Sequence, residues 1–234
     1  MSSLDHELIR ATVRGDATAV TNLLAQGANV NTTGGVTPVG ESNTVLMWAA
    51  GEGYANVVNV LLTHGADVNV KNDANYTALM YAAEGGYSES VNALLNYGAD
   101  IHPRNHYGET VLMSIARFGL TDLILCLIDL GADVHATNKI GDTALYLAVD
   151  NGQFYTVKAL IERGASVNTQ NIGGWTPLMM ASARGDLEVM ELLLAHGADF
   201  RPRNRWGATA LSEAKQSFRP IRAAQILQQA GATE

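Results

Sequence analysis

The sequence predicts an all-α solenoid of stacked helix–turn–helix units joined by extended or β-hairpin fingers, and three markers in phase predict it. Gly-Ala followed by a small polar residue starts at Gly27, Gly65, Gly98, Gly131, Gly164, Gly197 and Gly231, at spacings of 38, 33, 33, 33, 33 and 34 residues. Thr-x-Leu starts at Thr44, Thr77, Thr110, Thr143, Thr176 and Thr209, every step being 33. The single glycines Gly53, Gly86, Gly119, Gly152 and Gly185 keep the same interval.

The unit from Thr77 to Gly98 shows why each element should form. The Thr77 hydroxyl can cap a helix by accepting a first-turn N–H. Ala78 to Ala83 then makes a short helix whose small alanines allow a neighbour to approach closely. Gly86 supplies the positive φ of a tight reversal. In the second helix Val91, Leu94 and Leu95 fall at i, i+3 and i+4, forming one apolar stripe. Gly98 ends it, and the polar stretch from Asp100 to Gly108 leads out and back as a finger. A helix pair with two apolar faces cannot bury them alone, which is why the unit repeats.

Composition narrows the function. The 234 residues are 47% hydrophobic and 16% charged, with 23 acidic residues against 15 Lys and Arg, a formal charge of −8. That balance argues against disorder and against a globally basic nucleic-acid binder. A single cysteine makes no internal disulfide and points to a reducing, cytoplasmic setting. Met1 to Glu7 has neither the basic nor the apolar region of a signal peptide. No apolar run approaches the roughly 18–20 residues of a membrane helix.

The pattern Gly-x-Thr-x-Leu-x-x-Ala-x-x-x-Gly, an apolar helix and then Gly-Ala-Asp-Val-Asn resembles the ankyrin repeat, most closely at Gly174-Trp175-Thr176-Pro177-Leu178-Met179-Met180-Ala181. The resemblance implies one ankyrin repeat domain over 1–234. Residues 1–31 would be an amino-terminal cap with Leu8, Ala11 and Gly15 in the Leu, Ala and Gly places. Residues 32–208 would hold five full repeats, the first with a long finger insertion, and 209–234 a carboxy-terminal cap.

Three departures stand out. The histidine that usually follows Thr-Pro-Leu in the family is replaced by Met47, Met80, Met113, Tyr146, Met179 and Ser212, so other contacts must hold the finger while methionine fills space. The finger from Asn31 to Asn43 carries five extra residues, including Gly34-Gly35 and Pro38, and is expected to protrude. Phe218-Arg219-Pro220 replaces the inter-helix glycine turn of the last unit.

The chain is poor in chemistry. His6-Glu7-Leu8-Ile9-Arg10 lacks the second histidine of a zinc-protease helix, and Gly40-Glu41-Ser42-Asn43-Thr44 is one glycine short of a nucleophile elbow. No lysine follows a glycine, which excludes the standard phosphate-binding loop, and the six histidines lack clustering cysteines. Cys126, within Leu123-Ile124-Leu125-Cys126-Leu127-Ile128, reads as a buried small hydrophobe. No enzymatic activity, cofactor or metal is expected. Trp48 and Tyr81 fall at a core position.

What remains is surface. Family resemblance implies that a folded protein partner is bound by the finger tips and the concave face of the first helices. Mapped here, those positions are Tyr76, Arg104, His106, Tyr107, Arg117, Phe118, Lys139, Ile140, Asp142, Ile172, Trp175, Arg184, Arg203, Arg205 and Trp206. Aromatic residues and arginine are enriched at interfaces. Residues 1–100 carry net −7, 101–199 net −5 and 200–234 net +4, so an acidic body ends in a basic repeat. The expected role is a non-enzymatic protein-interaction module, monomeric on its own, that neither inserts into membranes nor favours nucleic acid. The alternative is a regulatory subunit or chaperone-like stabiliser of a bacterial enzyme.

Overall fold

The computed structural model describes residues 1–34 and 42–233. The insertion around Gly35 and Pro38, and Gly40-Glu41 of the elbow-like motif, lie outside them. The chain divides into two compact units, Met1–His106 and Tyr107–Glu234.

In the first unit, α1 (Ser3–Val13), α3 (Val45–Gly51) and α5 (Ala78–Glu84) pack in one row, and α2 (Ala17–Ala25), α4 (Ala55–Thr63) and α6 (Ser88–Asn96) in a second. Each first helix also packs on the helix that follows it. The second unit repeats the plan. Its first row is α7 (Val111–Phe118), α9 (Ala144–Asp150), α11 (Pro177–Arg184) and α13 (Ala210–Ala214). Its second row is α8 (Thr121–Asp129), α10 (Phe154–Glu162), α12 (Leu187–Ala195) and α14 (Pro220–Gln229). Among the described residues no helix is long and apolar enough to cross a membrane.

The local signals act as read. Thr44, Thr77, Thr110, Thr143, Thr176 and Thr209 each accept, through Oγ1, the N–H three residues on, at 3.1–3.4 Å. Ser2 does the same for α1 in a reciprocal capping box with Asp5. The family histidine's place is filled by packing, since Met47, Met80, Met113 and Met179 are all essentially solvent-free. Ala49, Ala82, Ala148 and Ala181 are fully buried between the rows, where a larger side chain would force neighbours apart. Leu94 lies in the core and Leu95 is half-buried.

Of the two finger forms expected, the extended turn is the one present, ladder pairing among described residues being reduced to single bridges at Thr33–Thr44 and Thr137–Thr143. Two expectations need adjustment. Cys126 is exposed, not buried. α8 turns Leu123, Ile124 and Leu127 inward and leaves Cys126 on its outer side. Trp48 and Tyr81 are only half-buried, because each polar atom reaches finger groups: Trp48 Nε1 donates to the Gly34 carbonyl at 2.6 Å, and Tyr81 Oη to Asn43 Oδ1 at 3.3 Å.

Candidate functional site: the finger edges

A finger is built on an asparagine. Asn72, Asn138 and Asn204 each accept on Oδ1 the backbone N–H groups two and four residues ahead, at 2.9–3.1 Å. Asn171 accepts that of Trp175 at 3.0 Å. The asparagine's own N–H donates to the carbonyl four residues on, at 2.9–3.0 Å in all four fingers. The side chain thereby satisfies donors that a finger this short has no strand to pair with. In two of the fingers Nδ2 also reaches the preceding unit: Asn72 donates to Asn43 Oδ1 at 2.7 Å, and Asn171 to Asp142 Oδ1 at 2.9 Å. These residues, with Asn105, recur every 33 positions and are a fourth marker that was present in the sequence.

Successive fingers are laced by backbone. In the second unit Lys139 N–H donates to the Tyr107 carbonyl at 2.9 Å, Ile172 to Ile140 at 2.8 Å, and Arg205 to Gly173 at 2.9 Å. In the first unit His106 donates to Ala74 at 3.0 Å. Such closeness demands glycine. Gly141 has φ +83°, and a Cβ there would stand 3.0 Å from Asn171 Cα and Ile172 N.

Two of the expected site residues are inside. Tyr76 is buried, its ring 5.0 Å from that of Tyr81 and 5.9 Å from that of His106. Asp142 is buried under Asn171, and desolvation raises its pKa against the opposing hydrogen bonds of Asn171 and Asn138, with the Asp150 charge adding to the rise. Burial also raises the neighbouring Tyr146 hydroxyl. Arg117 is half-buried and pairs with the buried Glu109 through its two terminal guanidinium nitrogens, Nη1 and Nη2. Trp175 is half-buried as well.

The others reach water. Arg104 and His106 are exposed in the first unit. In the second unit Tyr107 is 57% exposed, Ile140 58%, Ile172 50% and Trp206 76%, beside the exposed Lys139, Arg203 and Arg205. Arg203 Nη1 is held by the Gly207 carbonyl at 2.8 Å. Phe118 and Arg184 are exposed at the ends of α7 and α11. Among the described residues no group of three or more His, Cys, Asp or Glu is placed to hold a metal ion.

This edge can offer an apolar residue from each finger of the second unit, with cations on the 137–141 and 203–207 fingers, which suits recognition. The family described as ankyrin repeats (3 copies) matches residues 8–105, and that described as ankyrin repeats (many copies) matches residues 147–194. The crystal structure of the human ASB11 ankyrin repeat domain is similar at 28% identity and a TM-score of 0.80, with 97% of this chain and 98% of that one covered. The ankyrin repeat domain of Bcl-3, a member of the IkappaB protein family, is similar at 30% identity and a TM-score of 0.74, with 95% and 97% covered. Sequence comparison with curated proteins gave no match.

Proposed function

Because the chain belongs to the ankyrin repeat family, whose domains are generally protein–protein interaction modules, we propose that it is a non-enzymatic module that binds a folded protein partner through the finger edge of its second unit. The observation that carries this is the row Tyr107, Ile140, Ile172 and Trp206, at least half exposed on fingers whose backbones are tied to one another. Large apolar side chains presented on a rigid frame lose little entropy on binding, and such anchors dominate interface energies. Tyr76 and Asp142 have no part in it, being buried. The reading treats 1–234 as one repeat domain working in the cytoplasm.

The test is capture by the immobilised chain from cells of its source. Ile140→Ala with Trp206→Ala removes two anchors and should weaken capture by roughly 100-fold or more, since anchor truncations cost about 2 kcal/mol each. Lys158→Ala with Glu162→Ala on α10 removes an exposed pair at 3.9 Å and should change nothing. If the α10 pair abolishes capture and the finger pair does not, the partner sits on the second-helix row.

A further inference from the structure

On the second helices α8, α10 and α12 of the second unit Asp122, Asp129, Glu162, Glu188 and Glu191 are exposed, with Lys158 paired to Glu162 and Arg163 to Asp129, while α14 carries the exposed Arg222. Among the described residues, fingers 137–141, 170–174 and 203–207 carry no carboxylate, and their charged side chains are the exposed Lys139, Arg203 and Arg205. The two acids that immediately precede a capping threonine, Glu109 and Asp142, are withdrawn into the interior under Arg117 and Asn171. An acidic overall sequence thus carries a cationic, apolar finger edge, and a local concentration of positive charge without carboxylates favours the approach of anionic groups.

Geometry restricts the partner further. Stacked helical units repeat at roughly 8–10 Å, and each finger belongs to one such unit with its backbone hydrogen-bonded to the next finger. An extended chain of polyproline II form rises about 3.1 Å per residue with three residues per turn, so one of its faces also recurs about every 9 Å. A flat strand, with side chains alternating every second residue, does not match that step. We infer that the finger edge of the second unit receives an extended acidic segment of its partner, with a bulky apolar residue at every third position against Tyr107, Ile140, Ile172 and Trp206 and carboxylates between them facing Lys139, Arg203 and Arg205. This rests on the finger-edge reading above and names the chemistry of the partner.

The whole chain is panned against a random library of peptides about twelve residues long, enough to span three finger steps when extended. The expected result is enrichment of Asp and Glu with apolar residues at i, i+3 and i+6. Binding of the enriched peptides should fall roughly tenfold or more in Ile140→Ala with Trp206→Ala. It should fall similarly in Arg203→Glu with Arg205→Glu, be retained in Arg203→Lys with Arg205→Lys, and weaken as salt rises. Circular dichroism of each variant separates lost binding from lost folding. Neutral or basic peptides that are nevertheless lost with Ile140 and Trp206 would overturn the acidic segment while leaving the finger-edge reading intact. Acidic peptides indifferent to both substitution pairs, no enriched sequence at all, or tighter finger-dependent binding of a single-stranded oligonucleotide would each overturn the inference.

Discussion

The finger at 72–76 and the finger at 171–175 share a skeleton and differ at the tip. In both, an asparagine N–H pairs with the carbonyl four residues on, its Oδ1 takes the N–H of that same residue, and its Nδ2 reaches back to the preceding unit. In the first, the tip is Asp73-Ala74-Asn75, with Asn75 at φ +62° where the other finger has Gly174 at φ +77°. In the second, Ile172 stands out into water ahead of two glycines. Skeleton and tip are therefore separable. The asparagine, the positive-φ residue and the capping threonine hold the turn, while the residue just after the asparagine, Asp73 in one finger and Ile172 in the other, reaches solvent.

Breaking the skeleton should hurt both fingers alike. Asn72→Ala and Asn171→Ala each strand buried or half-buried backbone donors and should cost about 2–3 kcal/mol, seen as a lower urea midpoint. If either variant unfolds with the wild-type midpoint, the asparagine is not what holds that finger.

The turn residue gives a smaller, asymmetric effect. Gly141→Ala should cost about 1–2 kcal/mol from the left-handed backbone, with added crowding against Asn171. Asn75→Gly should stay within about 0.5 kcal/mol, because asparagine already tolerates that conformation and glycine adds chain entropy to the unfolded state. Thermal melts of the two variants check this directly.

A buried acid separates the fingers by pH. Asp142 and Asn43 occupy the same place in their units and accept the same bond from the next finger. Only Asp142 pays desolvation for a charge. A folded pKa above the unfolded value means that this group's stabilising contribution is complete below the unfolded pKa and is lost as pH rises through the folded one. Asp142→Asn should therefore melt higher than wild type at pH 7, with the gap closing as pH falls through the folded pKa of Asp142. A gap that widens in acid would mean that the carboxylate is held chiefly by cations.

Tip substitutions should be nearly silent for stability. Ile172→Asp, on a half-exposed side chain, should move stability by no more than about 0.5 kcal/mol.

Much of the scaffold was legible because its signals are local. A threonine caps the helix it precedes, and a glycine with positive φ ends or reverses one, so the 33-residue period placed the helices without knowledge of packing. The finger asparagines kept the same period but serve a turn and a neighbouring unit at once, a role that turn composition alone does not announce. The exposure of Cys126 is not legible because an unbroken apolar run from Leu123 to Ile128 has no polar residue to mark the outward face. Tyr76 and Asp142 were placed on the surface by analogy of position, yet the first stacks on Tyr81 and the second lies under Asn171. Burial of a polar side chain depends on its partner from the next unit, a non-local fact.

Recognition by the tips of a frame that does not itself depend on them is tested most directly inside the source cell, by a photo-crosslinking amino acid placed at Ile172 or at Lys158 in otherwise unchanged chains. The expected result is a discrete protein adduct from position 172 that disappears with Ile140→Ala and Trp206→Ala, and none from position 158. An adduct formed from position 158 and absent from 172 would place the partner on the second-helix row and contradict it.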